Sequence, residues 1–175
     1  AFFNKENSGL NSNTVRDIEF DSENNAWFCT PKGITKYNGN EWYTYGLKDL
    51  LYGTMFSNLT KFVDLPDLMS VAIDENDVAW IGTEGEGVIR IQGKGKAQIN
   101  VENSPVTSDY IRKIYVDKQN RKWFLTGMVA ENWGDRFFKD MDEASGSFTG
   151  AIMYKDPNYE NFPEWKILNT FTTDL

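Results

Sequence analysis

Three segments of the chain superimpose without a gap: VRDIEFDSENNAWFCT from Val15, LMSVAIDENDVAWIGT from Leu68 and IRKIYVDKQNRKWFLT from Ile111. Each places an Asp six residues before a Trp: Asp21 and Trp27, Asp74 and Trp80, Asp117 and Trp123. Each also carries a Thr three residues after the Trp, at Thr30, Thr83 and Thr126. Upstream, ENSGLNSNTVRDI from Glu6 aligns with ENSPVTSDYIRKI from Glu102, and downstream GITKYNG, GVIRIQG and GAIMYKD begin at Gly33, Gly87 and Gly150. The Trp anchors lie 53 residues apart (27 to 80) and then 43 (80 to 123). A repeat of this length is one supersecondary unit that buries its hydrophobic face only against a neighbour, so it constrains the fold before any strand is placed.

Each unit reads as a four-stranded antiparallel meander. The first strand alternates Ile18 and Phe20 with Asp17 and Glu19, the period of two expected of a half-buried strand. A tight turn, the Trp strand and the Gly-led strand follow. Fourth strands are read at EWYTY from Glu41, AQINV from Ala97 and EWKIL from Glu164. Asn24, Asp77 and Asn120 fall at one turn position, and these are the non-Gly residue types that best tolerate left-handed geometry. Asp21, Asp74 and Asp117 sit where an Asx side chain bonds the turn backbone. An aromatic share of 15% suits pleated, half-buried surfaces.

Four strands per repeat of this length is the period of a propeller blade, whereas a helical repeat would show a 3.6-residue period, which these blocks lack. The expected fold is therefore all-β: three β-propeller blades forming part of a larger propeller. Blade 1 is placed at about 11–46 with an insertion at 47–66, blade 2 at about 67–105, and blade 3 at about 106–175 with an insertion at 127–149. Propellers close with four to eight blades, and bare sheet edges are aggregation hazards. Additional blades or edge-to-edge self-association are the two ways to cover them. AFFNKENSGL resembles the tail of a preceding unit and NTFTTDL the lead into a following one.

The pattern L-x-S-N-x-V-x-x-I-x-x-D-x-x-x-x-x-W-[FI]-x-T, followed by G-[ILV]-x-x-[YI], resembles the two-component-regulator propeller repeats. Leu10, Ser12, Asn13, Val15, Ile18, Asp21, Trp27, Thr30, Gly33 and Tyr37 carry it in unit one. Unit two matches through Val71, Asp74, Trp80, Ile81, Gly82 and Thr83, and unit three through Ser108, Ile111, Ile114, Asp117, Trp123 and Thr126. The chain departs from the family where Asn24, Asp77 and Asn120 replace a turn Gly, and where Cys29 and Leu125 replace the Gly before Thr. The resemblance implies a periplasmic sensor propeller, as in hybrid histidine kinases of gut Bacteroidetes that detect polysaccharide fragments. It equally implies a secreted or lipid-anchored surface protein. Neither a kinase, a receiver nor a helix-turn-helix segment is present, so any signalling output lies outside these residues.

Composition narrows the chemistry. A net charge of -8 with a pI near 4.6 speaks against nucleic acid as a partner. No run approaches the roughly 20 apolar residues that span a bilayer. Without an initiator Met or a signal-like start, the chain reads as a mature or trimmed product. One Cys excludes an internal disulfide, and the absence of His removes the commonest general base and metal ligand. Streptogramin lyases have similar D-x-x-x-x-x-W blades, but their chemistry relies on a His base and a metal. A propeller enzyme of that kind is the disfavoured alternative, and a protein-interaction scaffold is the third reading.

No cofactor or metal is expected. The acidic run at Asp135, Asp140, Asp142 and Glu143 lacks Ca²⁺-loop spacing, and TEGEG at Thr83 lies between strands rather than before a helix. Cys29 aligns with Gly82 and Leu125 as a small core residue. In an up-and-down meander both insertions emerge at one end, where loops on a rigid scaffold tend to carry binding residues. Tyr52 and Phe56 lie in the first insertion and Trp133, Phe137 and Phe138 in the second. Such aromatics either stack on sugar rings or pin a long loop. Arg16 and Arg112 align at the same end and either clamp an acidic sugar or pair with Asp67 and Asp109. The candidate ligand site is Arg16, Tyr52, Tyr110, Arg112 and Trp133, and the expected ligand is an oligosaccharide or other small molecule bound without catalysis.

Overall fold

The computed structural model describes residues 2–46, 50, 67–127, 150–156 and 164–169. Among them, twelve strands form three four-stranded antiparallel sheets, each a meander in chain order. The first holds β1 (Asp17–Phe20), β2 (Ala26–Thr30), β3 (Gly33–Tyr37) and β4 (Trp42–Gly46). The second holds β5 (Leu68–Ile73), β6 (Ala79–Thr83), β7 (Val88–Gln92) and β8 (Gly95–Ile99). The third holds β9 (Ile111–Val116), β10 (Lys122–Thr126), β11 (Gly150–Lys155) and β12 (Glu164–Asn169).

The six-residue spacing from Asp to Trp has a direct cause. Asp21 Oδ1 accepts the backbone N–H of Glu23 at 3.1 Å and of Asn25 at 2.9 Å, while its Oδ2 accepts the indole N–H of Trp27 at 2.9 Å. Asp74 does the same for Asn76, Val78 and Trp80 (2.9, 3.0 and 3.0 Å), and Asp117 for Gln119, Arg121 and Trp123 (2.9, 3.0 and 2.8 Å). One carboxylate therefore closes the turn and fixes the Trp ring above it. The turn needs one left-handed residue, supplied by Asn24, Asp77 and Asn120 at φ of 60°, 56° and 58°. The Gly that opens the third strand also has a physical reason: at Gly87 φ is 73°, and a Cβ would stand 2.2 Å from the Ile99 carbonyl oxygen.

The first strands gather around a common axis. Asp17 Oδ2 accepts the Val71 N–H at 3.0 Å, and Ser70 Oγ accepts the Ile114 N–H at 2.9 Å. Lys113 of the third sheet reaches Asp17 of the first at 2.7 Å. These bonds join β1 to β5, β5 to β9 and β9 to β1, so the three sheets are blades set radially.

Register assigns the faces. In blade 1, Trp27, Cys29 and Ile34 share the face turned toward blade 2 and pack with Leu68, Val71, Ala79, Ile81, Ile89 and Ile91. The opposite face of blade 2, with Ala72, Trp80 and Val88, packs with Ile114, Phe124 and Ile152 of blade 3. The core thus consists of two inter-blade layers, and blade 2 is covered on both sides.

One expectation needs correction, and the blades differ from one another in one respect. The fourth strand of blade 2 is Gly95–Ile99 rather than Ala97 to Val101. The turn at Gly93, φ 57°, brings Gly95 directly opposite Gln92, and Asn100 already begins the next turn by accepting the Asn103 N–H at 3.2 Å. The three Trp residues are equivalent in register but not in burial. Trp27 and Trp80 are buried, whereas Trp123 is half-buried, because no described blade lies against its face.

Candidate ligand-binding end

The strand order places the residues that flank both insertions at one end. β4 ends at Gly46, opposite Gly33 and hence beside Thr30, and β10 ends at Thr126, opposite Gly150 and Ile111. A bridge between Glu84 and Tyr110 ties the corresponding ends of blades 2 and 3. The residues flanking both insertions therefore meet at the same end, while Tyr52 and Trp133 themselves lie outside the described residues.

Two of the five candidate side chains, Tyr110 and Arg112, line one hollow there, and a third, Arg16, touches its lining residue Met69. Arg16 spans the seam between blades 1 and 2: its Nη2 meets Asp67 Oδ2 at 2.6 Å, and its Nη1 donates to the Leu68 carbonyl at 3.2 Å. Its Nη1 also touches Met69 Sδ. Met69 in turn lines a hollow with Glu84, Tyr110 and Arg112. Among the described residues this hollow holds only about 10 Å³. Of the two roles open to the aligned arginines, Arg16 takes the ion pair. Asp109 does not show the parallel pairing with Arg112: its carboxylate accepts the Val101 N–H at 2.9 Å, and its carbonyl accepts the N–H groups of Gly85 and Gly87. Arg112 is exposed on the rim.

Sequence reasoning missed Met69 and Glu84 as neighbours of this site, since nothing local to them signals a seam. It also missed a second concavity at the opposite end. There a cleft of about 580 Å³ opens between the turns of blades 2 and 3. It is lined by Glu75, Asp156, Arg90, Lys155, Gln92 and Gln119, among others. Arg90 lies over the Trp80 ring at 5.5 Å, and its buried Nε has no hydrogen-bond partner.

The repeated carboxylates are committed to structure. Burial pushes the Asp21 carboxyl up, but hydrogen bonds from Lys36, Trp27 and Asn25 outweigh it and hold the group well below the usual carboxylate range. Asp74 is lowered in the same way: burial opposes, and bonds from Trp80 and Lys122 prevail. For Asp117 the balance of burial against bonds from Trp123 and Arg121 leaves the value at about 2. A cation attends each Trp: Lys36 lies 5.0 Å from the Trp27 ring, Lys122 5.1 Å from Trp80 and Arg121 5.4 Å from Trp123. Burial pushes the Cys29 thiol up to about 12, so the fully buried sulfur is a core atom rather than a nucleophile. Glu19 is also raised, first by burial and then by the charge of Asp17.

Among the described residues no group of three or more Cys, Asp or Glu side chains is arranged to hold a metal ion, and no helix is long and apolar enough to cross a membrane.

No family model and no curated protein matches the chain. Solved structures do. The chain is similar to the extracellular domain of the hybrid two-component system BT3049 from B. thetaiotaomicron, with 21% identity and a TM-score of 0.49 over 93% of this chain and 24% of that one. It is similar to PorZ, a surface component of the type-IX secretion system of Porphyromonas gingivalis, with 17% identity and a TM-score of 0.49 over 70% of this chain and 18% of that one. A third is the extracellular domain of BT4673 from B. thetaiotaomicron, with 16% identity and a TM-score of 0.33 over 93% of this chain and 30% of that one. The chain spans about a quarter of the BT3049 domain's length.

Proposed function

We propose that these blades belong to a non-catalytic, ligand-sensing or glycan-binding propeller of the two-component-regulator type. The protein acts in the periplasm or at the cell surface, as the sensor region of a signalling protein or as a surface component. The observation that carries this reading is that Tyr110 and Arg112 line one hollow at the end flanked by both insertions, on a scaffold whose repeated carboxylates, Asp21, Asp74 and Asp117, are spent on turns and indoles. Tyr110 supplies an aromatic face and a hydroxyl, and Arg112 a planar array of donors. Tyr52 and Trp133, from the two insertions, complete the proposed site. Stacking on C–H faces combined with bidentate hydrogen bonds suits a sugar ring, with affinities of roughly 10 µM to 1 mM.

The test is a glycan array followed by calorimetry on the strongest binder. Trp133→Ala and Arg112→Ala are each expected to weaken binding at least tenfold, about 1.4 kcal/mol, with melting temperatures nearly unchanged. A drop of several degrees for Trp133→Ala identifies it as a loop anchor and removes it from the site. If no glycan on the array binds, the reading fails and the protein-interaction scaffold takes its place. Turnover of a bound glycan would favour the enzyme alternative, which must then work without histidine.

A further inference from the structure

Both walls of the turn-end cleft, about 580 Å³ in volume, belong to blades 2 and 3, and the proposed glycan site makes no use of it. Small-molecule sites run to roughly 300–1,000 Å³, so the cleft has the size of one. Because β5 and β9 stand nearest the axis, the cleft divides into two halves. The inner half, beside their turns, holds Glu75 and Gln119, and the outer half, beside β7 and β11, holds Arg90, Gln92 and Lys155.

Acceptors around the outer half already have donors. Asp74 accepts the Trp80 indole N–H at 3.0 Å and pairs with the Lys122 ammonium at 2.9 Å, and Asp156 shares that ammonium. Gln92 Oε1 accepts from Arg90 Nη2 at 3.0 Å. The donors are not matched in this way. Arg90 Nε is buried without a hydrogen-bond partner, and a desolvated donor costs free energy until an acceptor reaches it. The guanidinium is held 5.5 Å from the Trp80 ring, so its position is set before anything binds. Neither Arg90 nor Lys155 makes an ion pair among the described residues.

The outer half thus presents donors and unpaired positive charge, and a carboxylate answers both with acceptor oxygens that carry a negative charge. The surroundings limit that charge to one. With Lys122 counted, three cations (Arg90, Lys122 and Lys155) stand against three carboxylates (Asp74, Glu75 and Asp156). A monoanion at Arg90 and Lys155 meets less repulsion there than the two charges of a phosphate.

We propose that the turn-end cleft is a second ligand site, which takes the carboxylate of a small molecule on Arg90 and Lys155. The carboxylate belongs either to a sugar acid or to a simple organic acid, and the two sources share this chemistry. No residue is common to this site and the insertion end, so either site stands if the other fails.

Nitrogen-15 chemical-shift titration tests this with glucuronate, lactate, glucose and inorganic phosphate, each to about 20 mM, which detects dissociation constants into the millimolar range. The signals followed are the Arg90 Nε–H and the amides of Gln92 and Lys155. Saturable shifts are expected with glucuronate, with lactate or with both, and none with glucose. Glucuronate alone identifies a sugar acid, lactate alone a simple organic acid, and both a site that reads the carboxylate itself. Arg90→Gln is expected to weaken binding about tenfold. Because Arg90 also packs on Trp80, its folding is checked by circular dichroism, and Lys155→Gln, at an exposed position, gives a second variant. That variant is expected to weaken binding about threefold with an unchanged melting temperature. No shift with either acid, equal shifts with glucose and glucuronate, tighter binding of phosphate than of both acids, or full affinity in Lys155→Gln overturns the proposal.

Discussion

Trp80→Ala is expected to destabilise the fold by about 3–5 kcal/mol, the range for truncating a fully buried aromatic. The ring is 0% exposed, lies against Phe124 and Tyr154 of the next blade, and has Arg90 and Lys122 near its faces. Its removal leaves a cavity in the seam and an Asp74 oxygen without its indole partner. Trp123→Ala removes the same side chain from the same register and is expected to cost distinctly less, because its face meets water. Urea denaturation of the two variants, compared at equal slope, checks the contrast. Equal losses would mean that each blade is stabilised internally and that inter-blade packing is secondary.

Lys122→Met is expected to cost about 3–5 kcal/mol at neutral pH, as for other buried ion pairs that lose one partner. The Lys122 side chain is 0% exposed, its ammonium meets Asp74 at 2.9 Å, and it also pairs with Asp156. Met fills the stem volume, so the loss reflects an uncompensated buried carboxylate rather than a cavity. The sign of the pH dependence follows from the lowered Asp74 value. A depressed carboxyl contributes stability that is present above its unfolded value near 4 and is lost as pH falls through the folded value. The gap between the parent chain and Lys122→Met is therefore expected to be widest near pH 7 and to narrow below about pH 4, where protonation neutralises the orphaned Asp74. Thermal melts of both proteins between neutral and acid pH measure it. A gap that does not change with pH would assign the loss to packing alone.

What the sequence made legible were features that recur. The Asp-to-Trp spacing, the left-handed residue at Asn24, Asp77 and Asn120, and the Gly opening the third strand each appear wherever the geometry demands them. They specify a blade from local chemistry. Lys122 was not legible. It aligns with Ala26 and Ala79 on the Trp strand, where a lysine reads as solvent-facing, and its partner Asp74 belongs to the preceding blade. The role of Arg16 stayed open for the same reason, since Asp67 and a sugar carboxylate offer the same chemistry to a guanidinium. The fourth strand of blade 2 slipped by two residues because the apolar pattern around Ala97 does not reveal how tightly Gly93 closes the hairpin. The burial of Trp123 depends on what lies beyond blade 3, and the repeat alone does not carry that information.

The most direct test of the central claim, ligand binding without chemistry at the insertion end, is an amide chemical-shift titration with the strongest glycan from the array. The account predicts shifts at Glu84, Tyr110, Arg112 and Gly127, none at Glu75 or Gln119 in the turn-end cleft, and a glycan spectrum that stays constant with time. Shifts confined to Glu75 and Gln119, or the appearance of cleaved glycan, would contradict it.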